Sequence, residues 1–538
     1  MKRNLLRIAA LGLCVAMLFA GCRLEGLLKD LGNIFGEYEL VKFGDMEYTR
    51  PDMEDFRAKY KAVNDALAEG KGKDDLMDVI YTFYESYYEF YTAYFLADIH
   101  YCMDLTDEYW GQEYAWCMEY TSEVSANVDQ LLHDLADCPL KEELEKEEFF
   151  GEDFFDDYMG ESLWSEEFQA LMEQEAALQT RYYELNDLAA DMDLYSEQFF
   201  KTYGSQMAEL FVELVKVRQQ IAAEAGYDDY LSFAYEFYHD RDYTPEQAMD
   251  YMEQVRRELV PMYRDLDLDT YWSIGRKNST ESQTFDYVRD TAISMGGKVK
   301  EAFELLRDGE LYNISYGKNK YNASFEIFLP KYMEPFIFVN PTGRISDQLT
   351  FVHEFGHFCN DYASYGTSVG VDVAEIFSQG MEYLSLCYGE GRDDHTYLKM
   401  VGSLSTFVEQ SAYASFEHQV YSLKGDDLTV ENVYALYDTV GRQYGFDTWG
   451  FDRRDFVLVT HFFTSPMYVI SYVVSNDAAL QLYQLEKEKA GAGLMKYQQN
   501  LDSQEEQFLA FLESAGLENP FTSGRVARIR QTLKDVLK

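Results

Sequence analysis

Proline is scarce in this chain, 9 of 538 residues, and glycine contributes 34. Because these two residues punctuate and break helices, their rarity predicts long helices rather than many short strands, and a mainly α fold is expected. Basic residues are outnumbered, 46 Lys and Arg against 96 Asp and Glu, for a formal net charge of -50. A surface of that sign repels phosphate backbones, which excludes nucleic acid as a partner. Cysteines number 7. Beyond Cys14 and Cys22 near the N-terminus there remain Cys102, Cys117, Cys138, Cys359 and Cys387, an odd set without a C-x-x-C pair. Neither a disulfide framework nor a cysteine zinc knuckle is implied. Long uncharged runs are also few. Phe456 to Asn476, between Asp455 and Asp477, contains His461, Pro466 and several hydroxyl residues, and reads as buried helix and turn rather than a membrane span. What is abundant is apolar and aromatic surface, 47% and 16% of residues. That is ample for a packed core and excludes a disordered chain.

The N-terminus carries Lys2, Arg3 and Arg7 before an apolar run from Ile8 to Ala20, the dimensions of a signal peptide. Leu18-Phe19-Ala20-Gly21-Cys22 resembles a lipobox, which predicts removal of residues 1–21, a lipid on Cys22 and an extracytoplasmic protein anchored to a bacterial membrane. The expected organisation is then a tether over 22–36, an N-terminal helical region over 37–240 and a catalytic region over 241–538. The later boundary is set just before Thr244-Pro245-Glu246-Gln247, a helix start with a capping hydroxyl and proline in the first turn. Asp75 to His100 has aromatic residues on nearly every helical face and predicts a helix buried on several sides. The acidic stretch Lys141 to Glu167 is expected to be a solvated helical hairpin. Phe325–Leu329 and Phe336–Val339, separated by Pro330 and Pro335, read as two strands.

One motif carries chemistry. In His353-Glu354-Phe355-Gly356-His357 the two imidazoles stand four residues apart, on one face of a helix, where both reach a single metal ion. Ser346 is the expected N-cap of that helix. A catalytic zinc site needs a third protein ligand. Glu375 is the candidate, with Asp361 and Asp372 behind it; alternatively Glu375 completes a capping box with Asp372 as N-cap. Glu354 is placed to act as general base toward a water that the ion activates. His461, Tyr468 and Tyr472 are candidate donors to the oxyanion, among which spacing does not choose.

Taken in order, these segments resemble the thimet oligopeptidase and oligoendopeptidase F family of zinc metallopeptidases. The likeness rests on the H-E-F-G-H run, on Glu375-Ile376-Phe377-Ser378-Gln379 with Glu382, and on His461-Phe462-Phe463 leading to Pro466-Met467-Tyr468-Val469-Ile470-Ser471-Tyr472. Weaker similarity around Phe336–Asn340 and Ala414–Gln419 extends it over about residues 240 to 500. The resemblance implies a mainly α, two-lobed fold with a deep central channel and a small β-sheet lining the cleft. It also implies one Zn2+ per chain on His353, His357 and Glu375, with Glu354 as base. His461, Tyr468 and Tyr472 would bind substrate or stabilise the oxyanion, and the reaction would be endoproteolysis of oligopeptides. Gly366 and Gly370 would free the intervening loop to close over substrate. Where relatives often carry a further histidine three residues after the second zinc histidine, this chain has Asn360. Two alternatives stand beside this reading: a carboxypeptidase or dipeptidase-type zinc enzyme, and a non-catalytic peptide-binding lipoprotein. The acidic surface either steers basic peptides to the site or serves solubility alone.

Overall fold

In a computed structural model, residues 39–537 are described apart from 148, 152–153, 159–164, 190–191, 367–368, 449 and 504. The leader, Cys22 and the tether lie outside the described residues. Helix follows helix, as the shortage of breakers predicts. Helix α1 (Met53–Glu69) starts at Asp52, whose carboxylate accepts the N–H groups of Glu54 and Asp55, and ends at Gly70 in the left-handed conformation. Helix α2 (Lys73–Met103) is the aromatic helix, and it is buried on several sides because α1, α3 (Glu108–Ala136) and a small sheet all pack on it. Its far end, Leu96, Ile99 and Cys102, belongs to a second apolar cluster that runs from Phe168 to Leu533, so α2 is common to both parts of the core.

The acidic stretch is not a solvated hairpin in its described part. It contains a single helical turn at Lys141–Leu144 and a 3-10 turn at Phe154–Tyr158, while Phe149, Phe150 and Phe155 are buried in the cluster of α1 to α3. Burying each phenylalanine is worth about 1.5–3 kcal/mol, which outweighs any preference of the interleaved acids for a regular exposed helix.

Farther along, α4 (Ser205–Glu224) lies in the second cluster, and α5 (Pro245–Glu258) begins with the anticipated capping box between Thr244 and Gln247. The two expected strands are present as β2 (Ser324–Leu329) and β3 (Glu334–Val339), paired antiparallel with Phe325 opposite Phe338 and Ile327 opposite Phe336. A two-residue strand that the sequence did not announce, β1 (Tyr312–Asn313), adds in parallel to the other side of β3, giving the order β1-β3-β2. Strand β3 is buried throughout.

Helix α6 (Ser346–Ser364) packs across β2 and β3, α7 (Val371–Tyr388) packs on α6, and α8 (Val469–Glu488) packs on α7. No helix among the described residues is long and apolar enough to cross a membrane. Ser346 does not cap α6 with its side chain. Asp347 gathers the turn before the helix instead, accepting from Thr342 N–H and Oγ at 3.0 and 2.8 Å, from Gly343 N–H at 2.7 Å and from Arg344 N–H at 2.9 Å. A carboxylate serves several donors at once where a hydroxyl serves fewer.

Candidate metal centre and active site

His353 and His357 lie one turn apart on α6 with ring centroids 5.2 Å from each other, and Glu375 reaches them from the second turn of α7. One ligand atom from each of the three lies within 4.8 Å of the others, and His353 Nε2 is 3.6 Å from Glu375 Oε2. Four-coordinate zinc with bonds of about 2.0–2.2 Å separates its ligands by roughly 3.4 Å, so the two nitrogens and one oxygen fit that ion. Close contact between the helices makes this possible. A Cβ on Gly356 would stand 2.5 Å from the carbonyl oxygen of Phe377 and 2.6 Å from Ser378 Cα. The glycine inside the motif is therefore what lets α7 bring Glu375 within reach.

Around these groups a second set fixes orientation. Ser378 Oγ donates to Glu375 Oε2 at 2.9 Å. Glu382 Oε1 lies 3.0 Å from His353 Nδ1 and 3.0 Å from Lys399 Nζ, so it holds the far side of the ring and leaves Nε2 facing Glu375. Burial alone would lower the pKa of His353, but the hydrogen bond to Glu382 and the charges of Glu375, Glu382 and Glu354 raise it to about 9. Burial and the neighbouring His353 push His357 down to about 3. Burial, followed by the charges of Glu375 and Glu382, lifts Glu354 to about 7 against the pull of His353.

Asp372 does not cap α7: Gly370 precedes the helix, and Asp372 is its second residue. Its carboxylate instead accepts from Arg241 Nε at 3.2 Å and from Tyr243 OH at 2.9 Å, so the capping-box alternative for Glu375 falls away. Asp361 is hydrogen-bonded to Glu326 of β2, and burial raises both carboxyls, so that a proton stays between them. Asn360, in place of the family's extra histidine, donates to the carbonyl of Leu501 at 2.9 Å. Gly366 and Gly370 serve close packing: a Cβ would come within 2.4 Å of the Phe328 ring at the first and 2.5 Å of the Glu506 carbonyl oxygen at the second.

His461, Tyr468 and Tyr472 form one aromatic group, with ring centroids 5.4, 5.9 and 5.2 Å apart pairwise. Tyr472 lines a cleft of about 790 Å³ together with His353, Glu354, Gln379 and Glu382. Burial holds both tyrosines far above the ordinary phenol range and lowers His461 to about 4, so at neutral pH the phenols keep their protons and the imidazole is neutral. The turn leading to Tyr468 is clamped. Met467 sits at φ 62°, in the left-handed region that a non-glycine residue rarely adopts. Its N–H donates to Glu417 Oε1 at 2.9 Å and its carbonyl accepts from Arg241 Nη2 at 2.9 Å, while His239 Nε2 is 2.9 Å from the Pro466 carbonyl. Arg218, fully buried in α4 and paired to Glu175, donates to the carbonyls of Phe462 and Phe463. Pro466, Met467 and Glu417 lie in runs that carried the family resemblance, but the sequence assigned none of these residues a supporting role. Arg218 alone left a trace, since it occupies the apolar stripe of Phe211, Leu214 and Val215.

Residues 43–159 match the Peptidase M3 N-terminal domain. The chain thus carries an M3 N-terminal domain over those residues, on a fold it shares with M3 peptidases. Among solved structures, PZ peptidase A with an inhibitor superposes at TM-score 0.78 and 20% identity, over 92% of this chain and 99% of the other. A protein from Bacillus anthracis strain Ames assigned as an oligoendopeptidase F gives 0.75 and 20%, over 93% and 98%. The oligoendopeptidase-F of Enterococcus faecium gives 0.56 and 16%, over 90% and 98%. These likenesses establish the helical M3 fold with its small sheet. No curated protein sequence matches the chain.

Proposed function

We propose that this M3 metallo-oligopeptidase is a zinc-dependent endopeptidase, with His353, His357 and Glu375 as ligands and Glu354 as general base. The observation that carries the reading is the convergence of the three ligand atoms within 4.8 Å, from two helices, beside a cleft that His353 and Glu354 line. Zinc bound there supplies the positive charge that activates a water and polarises the scissile carbonyl. The Glu354 carboxylate takes the proton of the attacking water and passes it to the leaving amine nitrogen, a task suited to a group raised to about 7. Tyr472 and Tyr468, protonated at neutral pH, donate to the developing oxyanion, and neutral His461 adds an N–H from the same aromatic group. Clamping of the Met467 turn supports this role by setting the phenols before substrate arrives.

The test is to incubate protein of residues 23–538 with a diverse pool of short peptides and to identify products by mass spectrometry, with Glu354→Gln alongside. Internal cleavage by the parent, reduced by about 10²–10⁴-fold in the variant at equal zinc content, is expected. Absence of cleavage by zinc-loaded parent protein overturns the reading. The lipobox-like segment ending at Cys22 further supports attachment to a bacterial membrane outside the cytoplasm. Labelled palmitate should enter the full chain and not its Cys22→Ser variant; equal labelling of both refutes the anchor.

A further inference from the structure

In a chain with 96 acidic residues, arginines are seldom left without one. Among the described residues, every arginine whose side chain is described has a carboxylate oxygen within 4.0 Å, except Arg276 and Arg344. Both line the same cleft as His353 and Glu354, beside Trp272, Leu349 and Leu398. Arg344 is oriented without being neutralised: its Nη1 donates to the Arg276 carbonyl at 2.9 Å and to Asn278 Oδ1 at 2.7 Å, both uncharged acceptors. A backbone bridge between Asn278 and Arg344 and the hold of Asp347 on the Arg344 N–H fix the main chain beneath it. Its remaining guanidinium N–H groups, and all those of Arg276, have no acceptor among the described residues.

Two unpaired guanidinium groups in a cleft, that of Arg344 held in place, are a site for a planar anion, and a peptide offers a carboxylate. We propose that Arg276 and Arg344 form an anion-binding subsite that receives a carboxylate of the peptide substrate, either an Asp or Glu side chain or the C-terminal group. The inference rests on the peptidase reading given above and adds the substrate class to it. Trp272, 53% exposed, and Leu398 supply apolar surface at the same wall, which favours a large apolar residue next to the bound carboxylate. Selection by this subsite runs opposite to the overall field. At contact distance the two cations outweigh distant acids, which salt screens within about 8–10 Å.

Binding to the zinc-loaded Glu354→Gln protein, followed by calorimetry, tests this without turnover. The probes are an acetylated heptapeptide with a central Phe, carrying Glu or Gln at each other position in turn, with a free or an amidated C-terminus. A gain of about tenfold for one Glu position over Gln, or for free over amidated terminus, is expected, as for a charge-assisted hydrogen bond. Which of the two shows the gain identifies the source of the carboxylate. The gain should vanish in Arg276→Gln/Arg344→Gln, and shrink in Arg276→Gln alone, which leaves the Arg344 contacts in place. Peptides that bind with no preference for the carboxylate, or with a preference that the double variant retains, overturn the subsite. If no probe binds and the parent cleaves nothing in the pool, it is the peptidase reading that has failed, and the subsite with it.

Discussion

At the scale of single residues the site is a set of opposed titrations. His353 is drawn up to about 9 by Glu382, Glu375 and Glu354, so in the metal-free protein it carries a proton at neutral pH. An imidazole must lose that proton to bind a metal. Zinc uptake at pH 7 should therefore release about one proton or more per ion. The apparent affinity should fall about tenfold for each pH unit below 9 and level off above it. Calorimetry in buffers of different ionisation enthalpy measures the proton count, and a value near zero contradicts the assignment of His353. Local spacing made this part legible: positions i and i+4 share a face whatever the rest of the chain does, and His353, Glu354 and His357 follow from five letters. Glu375 stood first among three acidic candidates with a capping role still open, because proximity to a second helix leaves no mark in spacing; the fold is what brings it to the two histidines. Arg276 and Arg344 were not legible at all. What distinguishes them is the carboxylate they lack, and pairing is a property of the folded surface.

Between elements, two devices set the geometry: the glycine contact of α6 with α7, and the buried network that joins α7 to the Met467 turn. Gly356→Ala forces a methyl into the Phe377–Ser378 backbone. It should cost about 1–3 kcal/mol of stability and lower zinc affinity by moving Glu375 away, read by thermal unfolding and metal titration; unchanged values of both would show that the helices yield freely. Arg241 and Asp372 form a buried ion pair that also holds the Met467 carbonyl and Ser471. Removing one partner, as in Arg241→Met, strands a buried carboxylate and should cost about 3–5 kcal/mol. The double variant Arg241→Met/Asp372→Asn should recover part of that stability while kcat stays low, because the turn is still released. Full recovery of kcat would show the network to be structural only. Sequence reading reached the helices and two of the three strands here, since periodicity and proline spacing are local. It erred at Ser346 and Asp372, where acids with several donors in reach displaced simple caps, and in the stretch 141–167, where buried phenylalanines overrode the charge pattern.

For the whole molecule, a charge of -50 means self-repulsion in the compact state. The melting temperature should rise between about 10 and 500 mM NaCl at pH 7, because screening shortens the range of that repulsion to a few ångströms, and rise less near pH 5, where fewer carboxylates are ionised. A flat response at pH 7 would mean that the acids are already offset locally. The fold's topology carries one more consequence. The groups that hold the Met467 turn stand far upstream of it: Arg241 bonds to Met467 across 226 residues and Arg218 to Phe462 across 244. During translation the clamp is made long before anything exists for it to grip, and Tyr472 arrives after seven-eighths of the chain. A ribosome-bound chain thus has no complete cleft until synthesis is all but finished.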